Sequence, residues 1–584
     1  MHTPTLPEVP QRRLVTDRFL GYDCRPQLPD GAFSDMQNLS LRNYPLLSTR
    51  PPRGILRGLR RPGGLIAKDA LLWVDGGSLY MNGLETGLTG LSPGEKQLVS
   101  MGAYVLIFPD KRYYNTEDPA DCGSLEADFS LSGTVRCQLC DAGGAPLPDP
   151  SLSDSEPEDP ANGALWLDRA SGSPSLRQYS QAQALWVELP TVYTRLSLSS
   201  RGQLPALFSA GDGVSVSGLG LEELEGEKIL YALGGGPEED DYCVVTGLLE
   251  RSQTLENVRL RLRRRVPDMD FVCQCGNRLW GCRYGPGEDG RILNEIYASA
   301  LGDFKNFRQF LGLSTDSWTA SVGSDGPWTG AVSYLGRPCF FKEDRIHPVT
   351  ISAYGAHQLD EIPCRGVQKG SHGSLCLVGE SLYYKARDQV CVWQGGFPQS
   401  VGEALGEQRF GSAVGGSVDG RYYLSLRGAD GAWRLLCYDT ALGLWTKEDA
   451  LHALAFAALE GELYAIDADS GALLALKGTA GEREGAFDWL AETGPLHLRT
   501  PDRQSLSRFN LTLSLGEGAE ARLWLRYDEE AAWRDGGEIR LSRPGTVTLP
   551  VRPRRCDHVR LRLTGRGDMR LHALTYLLEP GSDG

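Results

Sequence analysis

The chain has no run of about 18 apolar residues, so no segment of it reads as a membrane-crossing helix. Its start, Met1-His2-Thr3-Pro4, lacks the basic-then-apolar layout of a secretion signal; the expectation is a soluble protein made in a cytosol, without a membrane partner. Amphipathic helical stretches are scarce. Positive charge is also in short supply. Sixty Lys and Arg against 75 Asp and Glu give a formal charge of −15, which argues against a nucleic-acid binder built on whole-surface charge.

Catalytic signatures are missing as well: there is no HExxH and no phosphate-cradling GxxxxGKS or GxxxxGKT. The eight His are scattered, none paired at metal-ligand spacing. His347 before Pro348 and His452 read as ordinary core or edge residues. Fourteen Cys lie singly in strand-like runs, as Cys339, Cys376, Cys391 and Cys437 do, which favours buried free thiols over a disulfide framework. Cys137-Gln138-Leu139-Cys140 has no second pair at zinc-ribbon distance. No cofactor, no metal and no enzymatic reaction are expected.

What the chain does have is 71 Gly and 34 Pro set between strand-favouring residues, the composition of many short strands joined by turns. Leu71-Leu72-Trp73-Val74-Asp75-Gly76-Gly77-Ser78-Leu79-Tyr80 is one tight hairpin, and Leu375 to Tyr384 repeats the pattern. Clearer units follow at Asp419 to Trp445 and Glu460 to Leu473. A lone hairpin cannot bury its own face, so radially arranged copies must share a core, and a spacing of roughly 40 residues suits four-stranded propeller blades.

At 584 residues the chain must divide into several cores. The reading is all-β: a β-propeller of about six to eight blades with an inserted β-rich domain and a C-terminal β-sandwich. Residues 1–63 read as an N-terminal arm whose aromatics dock on something, and 64–117 as the first blades. Residues 118–266 read as the inserted domain, with a flexible acidic loop at 149–162 that has too little apolar surface to order itself. Residues 267–485 supply the remaining blades. From about Trp489 longer alternating strands, such as Ala521 to Tyr527, mark a sandwich over 486–584 with one wet face.

Polar clusters admit bland readings. Ser314 to Trp318 and Ser324 to Trp328 faintly resemble the Asp-box turns of sialidases but do not keep their spacing, so a structural turn with a packed Trp is favoured. Asp467-Ala468-Asp469-Ser470-Gly471 is too short for a calcium loop. Basic residues are more patterned: Arg259, Arg261 and Arg263 alternate with Leu260 and Leu262 before Arg264 and Arg265, which on a strand puts the three odd-numbered arginines on one face. These five are the candidate DNA-channel or interface residues. Further clusters lie at Arg50, Arg53, Arg57, Arg60 and Arg61, and at Arg552, Arg554 and Arg555. Salt-bridging is preferred over contact with DNA phosphate.

Phe19-x-Gly21-Tyr22-Asp23, Gly31-x-Phe33-Ser34-Asp35-Met36-x-Asn38-Leu39-Ser40 and Tyr44-Pro45 resemble the start of structural proteins from prophages of Gram-positive bacteria. So do Asn277 to Cys282, Thr315 to Trp318 and Arg365 to Ser371. The interrupted propeller is similar in plan to the nozzle (tail tubular protein B) and packaged-DNA stabilization hub proteins of short-tailed phages, from which the C-terminal sandwich and the acidic loop depart. The resemblance implies a virion subunit of the tail or head-to-tail conduit. Its partners would be further copies of itself in a ring, the portal, adaptor and other tail proteins, and DNA passing through. An alternative is a tail-tip receptor- or glycan-binding protein with Trp524, Tyr527 and Trp533 as an aromatic platform; a propeller glycoside hydrolase is a third reading.

Overall fold

The computed structural model describes residues 12–170, 174–287, 289–352, 356–497, 504–541, 543–551, 556 and 558–580. It is all-β, and its centre is a seven-bladed propeller. Four-stranded sheets span 62–85, 97–124, 271–321, 376–400 and 410–447, and a five-stranded one spans 330–363. Each blade is an antiparallel meander set by its turns. At Asp419-Gly420 and Glu460-Gly461 both central residues take positive φ (51° and 70°, 49° and 76°), the primed turn whose twist matches that of the flanking strands.

The seventh blade is closed from the other end of the chain. Ala453–Leu459, Glu462–Asp467 and Ala472–Ala475 form its inner strands, and Gly54–Gly58 pairs with Ala472–Ala475 as the next strand out. Glu482–Arg483 covers the far edge of Gly54–Gly58. The first strand of this blade, Ala453–Leu459, packs against the first strand of blade one, Pro62–Ala67, and completes the ring. Apolar clusters fill each wedge between blades; Cys273, Cys282, Trp280 and Phe340 share one such wedge between the third and fourth. All fourteen cysteines are free thiols.

The inserted domain leaves the propeller after blade two and returns before blade three. Its seven-stranded sheet is built around Ala127–Cys140, Tyr193–Arg201 and Gln253–Arg264, and a small four-stranded sheet lies beside it. Within the acidic stretch, Ser151–Ser153 pairs in parallel with Leu165–Asp168, and the Trp166 indole donates to the Ser153 carbonyl at 3.0 Å.

The sandwich is assembled from both ends of the sequence. One sheet joins Arg12–Thr16, Leu39–Ser40 and Leu47–Thr49 to Gln504–Leu515, Gly545–Val551 and Met569–Pro580. The other joins Gly21–Tyr22 and Ala32–Gln37 to Asp488–Thr493, Glu520–Tyr527, Arg534–Arg540 and His558–Arg566, with Leu496–His497 at its side. Phe19, Tyr22, Phe33 and Met36 are thus sandwich core, where they meet Leu511, Leu523 and Leu561. The same cluster includes Tyr383, Tyr422 and Trp445 of blades five and six, so sandwich and propeller share buried surface.

Candidate functional site

A cavity of about 790 Å³ is lined by residues in, or just ahead of, the strands of all seven blades. Gly63 and Gly64 come from the first blade, Glu95 and Gln97 from the second, and Asp270, Phe271 and Tyr284 from the third. Trp328 comes from the fourth, Lys369 and His372 precede the fifth, and Val414 and Phe456 represent the sixth and seventh. A space of this size, with aromatic walls and a few convergent polar groups, has the character of a small-ligand site.

Its polar groups are held in place. The Asp270 carboxylate accepts from Arg283 Nη1 and from the Tyr284 backbone N–H, each at 2.7 Å. Gln97 clips blades two and three together: its amide donates to the Asp270 carbonyl at 2.7 Å and accepts from Val272 N–H at 3.1 Å. The His372 ring lies 5.1 Å from Phe271, and burial lowers its pKa against the opposing pull of Glu95. Glu95 itself is exposed.

Behind this wall sits a buried lysine. Lys342 Nζ lies 4.6 Å from the Trp328 ring centroid and 5.6 Å from that of Tyr284, and donates to Asn294 Oδ1 at 3.2 Å and to the Ser324 carbonyl at 2.5 Å. Burial lowers its pKa. Tyr284 is pinned further by donating its hydroxyl to Asp325 at 2.6 Å, and Trp328 by donating to the Arg283 carbonyl at 3.2 Å. Chemically the cavity offers aromatic faces for ring stacking and carboxylate, amide and imidazole groups for hydroxyls. Among the described residues no cluster of three or more His, Cys, Asp or Glu could hold a metal ion.

The five candidate arginines lie elsewhere. They belong to the inserted domain or the segment just after it, and only some of them share a space. Arg259 and Arg261 are exposed; Arg261 forms a bidentate pair with Asp128 on the neighbouring strand. Arg264 is buried and ion-paired with Asp212 at 2.5 Å. Arg263 and Arg265 line a cleft of about 910 Å³ between the inserted domain and the third blade. In the second cluster, Arg50 and Arg53 are buried against Glu448, Asp449 and Glu484, whereas Arg57, Arg60 and Arg61 are exposed. Arg552, Arg554 and Arg555 lie outside the described residues.

The sandwich does not present the three-residue aromatic platform. Tyr527 is core, the Arg522 guanidinium sits 4.6 Å over the Trp524 ring, and Arg526 and Arg562 lie 4.7 and 4.2 Å from that of Trp533. In the two Asp-box-like turns, Trp328 packs at the core while Asp316 ties its own loop, accepting from Leu311 and Leu313 N–H. Sequence reading missed Glu95, Gln97, Asp270 and His372 as a set. Their one shared signal is position, just ahead of or at the start of a blade's first strand.

No protein-family model matches the chain, and no curated protein does. Several solved structures do match, at low identity and low TM-score. They include an exo-β-1,3-galactanase from Phanerochaete chrysosporium with galactose (9% identity, 52% of this chain and 94% of that one, TM-score 0.21). A mutant Trypanosoma rangeli sialidase displaying trans-sialidase activity matches at 8% identity over 97% and 95% of the two chains, TM-score 0.21. The endosialidase of phage phi92 matches at 10% over 80% and 69%, TM-score 0.14. The expectation that the chain is no enzyme is corrected here: the proteins it matches include glycoside hydrolases and sialidases. At these TM-scores they supply no activity for this chain, and no nozzle or hub protein is among them.

Proposed function

We propose that the protein binds carbohydrate in the central cavity of its propeller. The observation that carries this is the cavity of about 790 Å³ to which every blade contributes, walled by partly exposed Phe271, Tyr284 and Phe456 and edged by Glu95, Gln97, Asp270 and His372. Sugars need apolar faces for their C–H surfaces and acceptors for their hydroxyls, and the cavity supplies both. Cleavage at the same place would run through its two carboxylates, Glu95 and Asp270, one as acid and one as base or nucleophile. This keeps the glycan-binding alternative of the sequence reading and moves it from the sandwich to the propeller. Service at a phage tail tip is carried with it as a proposal, tested by mass spectrometry of purified particles.

The test is glycan-array screening of the full chain, followed by calorimetry on the best oligosaccharide and chromatography of the incubated sugar for products. Glu95→Gln and His372→Ala should each weaken binding about tenfold, the effect of one or two lost hydrogen bonds in a partly desolvated site, with unchanged melting. Binding that ignores both substitutions, or no binding to any glycan, overturns the reading.

A further inference from the structure

The cleft between the inserted domain and the third blade is larger than the central cavity, about 910 Å³, and its chemistry differs. Its acids are engaged. Lys111 Nζ reaches Glu126 at 2.9 Å and Asp268 at 2.8 Å, and donates its third hydrogen bond to the Val266 carbonyl at 2.7 Å. Glu227 pairs with Arg308, and Glu295 accepts from the Tyr297 hydroxyl at 2.5 Å. Arg263 is in a different position. Its strand neighbour Asp128 is taken by the bidentate pair with Arg261, and its own Nε is buried without a hydrogen-bond partner. On the rim, Phe310 leaves 60% of its surface exposed.

We infer that this cleft binds an acidic saccharide, with its anionic group on Arg263 and its ring against Phe310. A guanidinium without a committed acid seeks one oxyanion and can hold it through two parallel hydrogen bonds. Carboxylates already neutralised on one side still accept hydroxyls on the other, so a ligand with a single charge and many hydroxyl donors suits the whole wall. A polyanion does not: a nucleic acid threading the cleft would bring successive phosphates past Glu126, Glu227, Asp268 and Glu295. The inference stands apart from the central cavity, and either can fail without the other.

The test is calorimetry of the full chain with galacturonate, which carries one carboxylate, its neutral counterpart galactose and a short DNA duplex. Galacturonate should bind and galactose should not. Arg263→Ala should weaken galacturonate about tenfold or more, Arg263→Lys less because it keeps the charge and loses the fork, and Phe310→Ala should weaken it too. Arg201→Ala, on an exposed pair with Asp240, should change nothing. Equal affinity for the acidic and neutral sugars, an Arg263→Ala protein that still melts normally and binds as before, or DNA binding in place of the uronate overturns the inference.

Discussion

At the scale of single residues, the polar groups that matter most are buried and paired. Arg53 reaches Asp449 at 2.7 Å and Glu448 at 3.3 Å, and its backbone N–H donates to Glu484, which also binds Arg50. Removing one member of such a set strands charge away from water. Arg53→Ala should therefore cost about 3–5 kcal/mol, read as a fall in the urea midpoint, while Arg60→Ala at an exposed position should cost little. His347 gives a pH signature. Burial pushes it down to about 4 against the pull of Glu361, and its Nδ1 is buried without a partner. The folded chain thus keeps it neutral while the unfolded chain, near 6.5, takes up a proton. The stability this contributes is complete above about pH 6.5 and is lost as pH falls toward 4. Urea midpoints at pH 7.5 and 5.0 should fall less for His347→Gln than for the parent chain; equal falls would contradict this.

At the scale of elements, the hairpins were legible and the closure was not. Strand runs broken by Asp419-Gly420 or Glu460-Gly461 announce their turns locally, because positive φ at both central positions selects those residues. Gly54–Gly58 carries no comparable signal. Its role as an outer strand of the last blade depends on pairing with Ala472–Ala475, at the other end of the propeller sequence. At its start, a Cβ on Gly54 would stand 1.7 Å from the Ala480 carbonyl oxygen. Gly54→Ala should therefore loosen the seventh blade and cost about 1–3 kcal/mol, seen as a lower melting temperature. An unchanged melting temperature would mean that this strand does not hold the ring.

At the scale of the whole molecule, the two termini cannot be separated from the body. The first strands of the chain sit in both sandwich sheets, and the sandwich core runs on into blades five and six. Truncation after residue 485 should leave Phe19, Phe33 and Met36 without their partners and yield an aggregating chain rather than a clean propeller; a soluble, monodisperse 1–485 would refute that coupling. The same geometry explains why the candidate site escaped the sequence. Seven segments separated by whole blades contribute one or a few residues each, so Glu95, Asp270 and His372 form no motif along the chain. The arginines did form a motif, and strand alternation does expose Arg259 and Arg261 while Leu260 and Leu262 are buried. Alternation fixes a face; it does not say which body the face meets. The most direct check on the account is an experimental structure of the full chain with its tightest-binding oligosaccharide. Sugar density in the central cavity, against Phe271 and within reach of Glu95 and His372, is the predicted result; an empty cavity with the sugar bound elsewhere would contradict it.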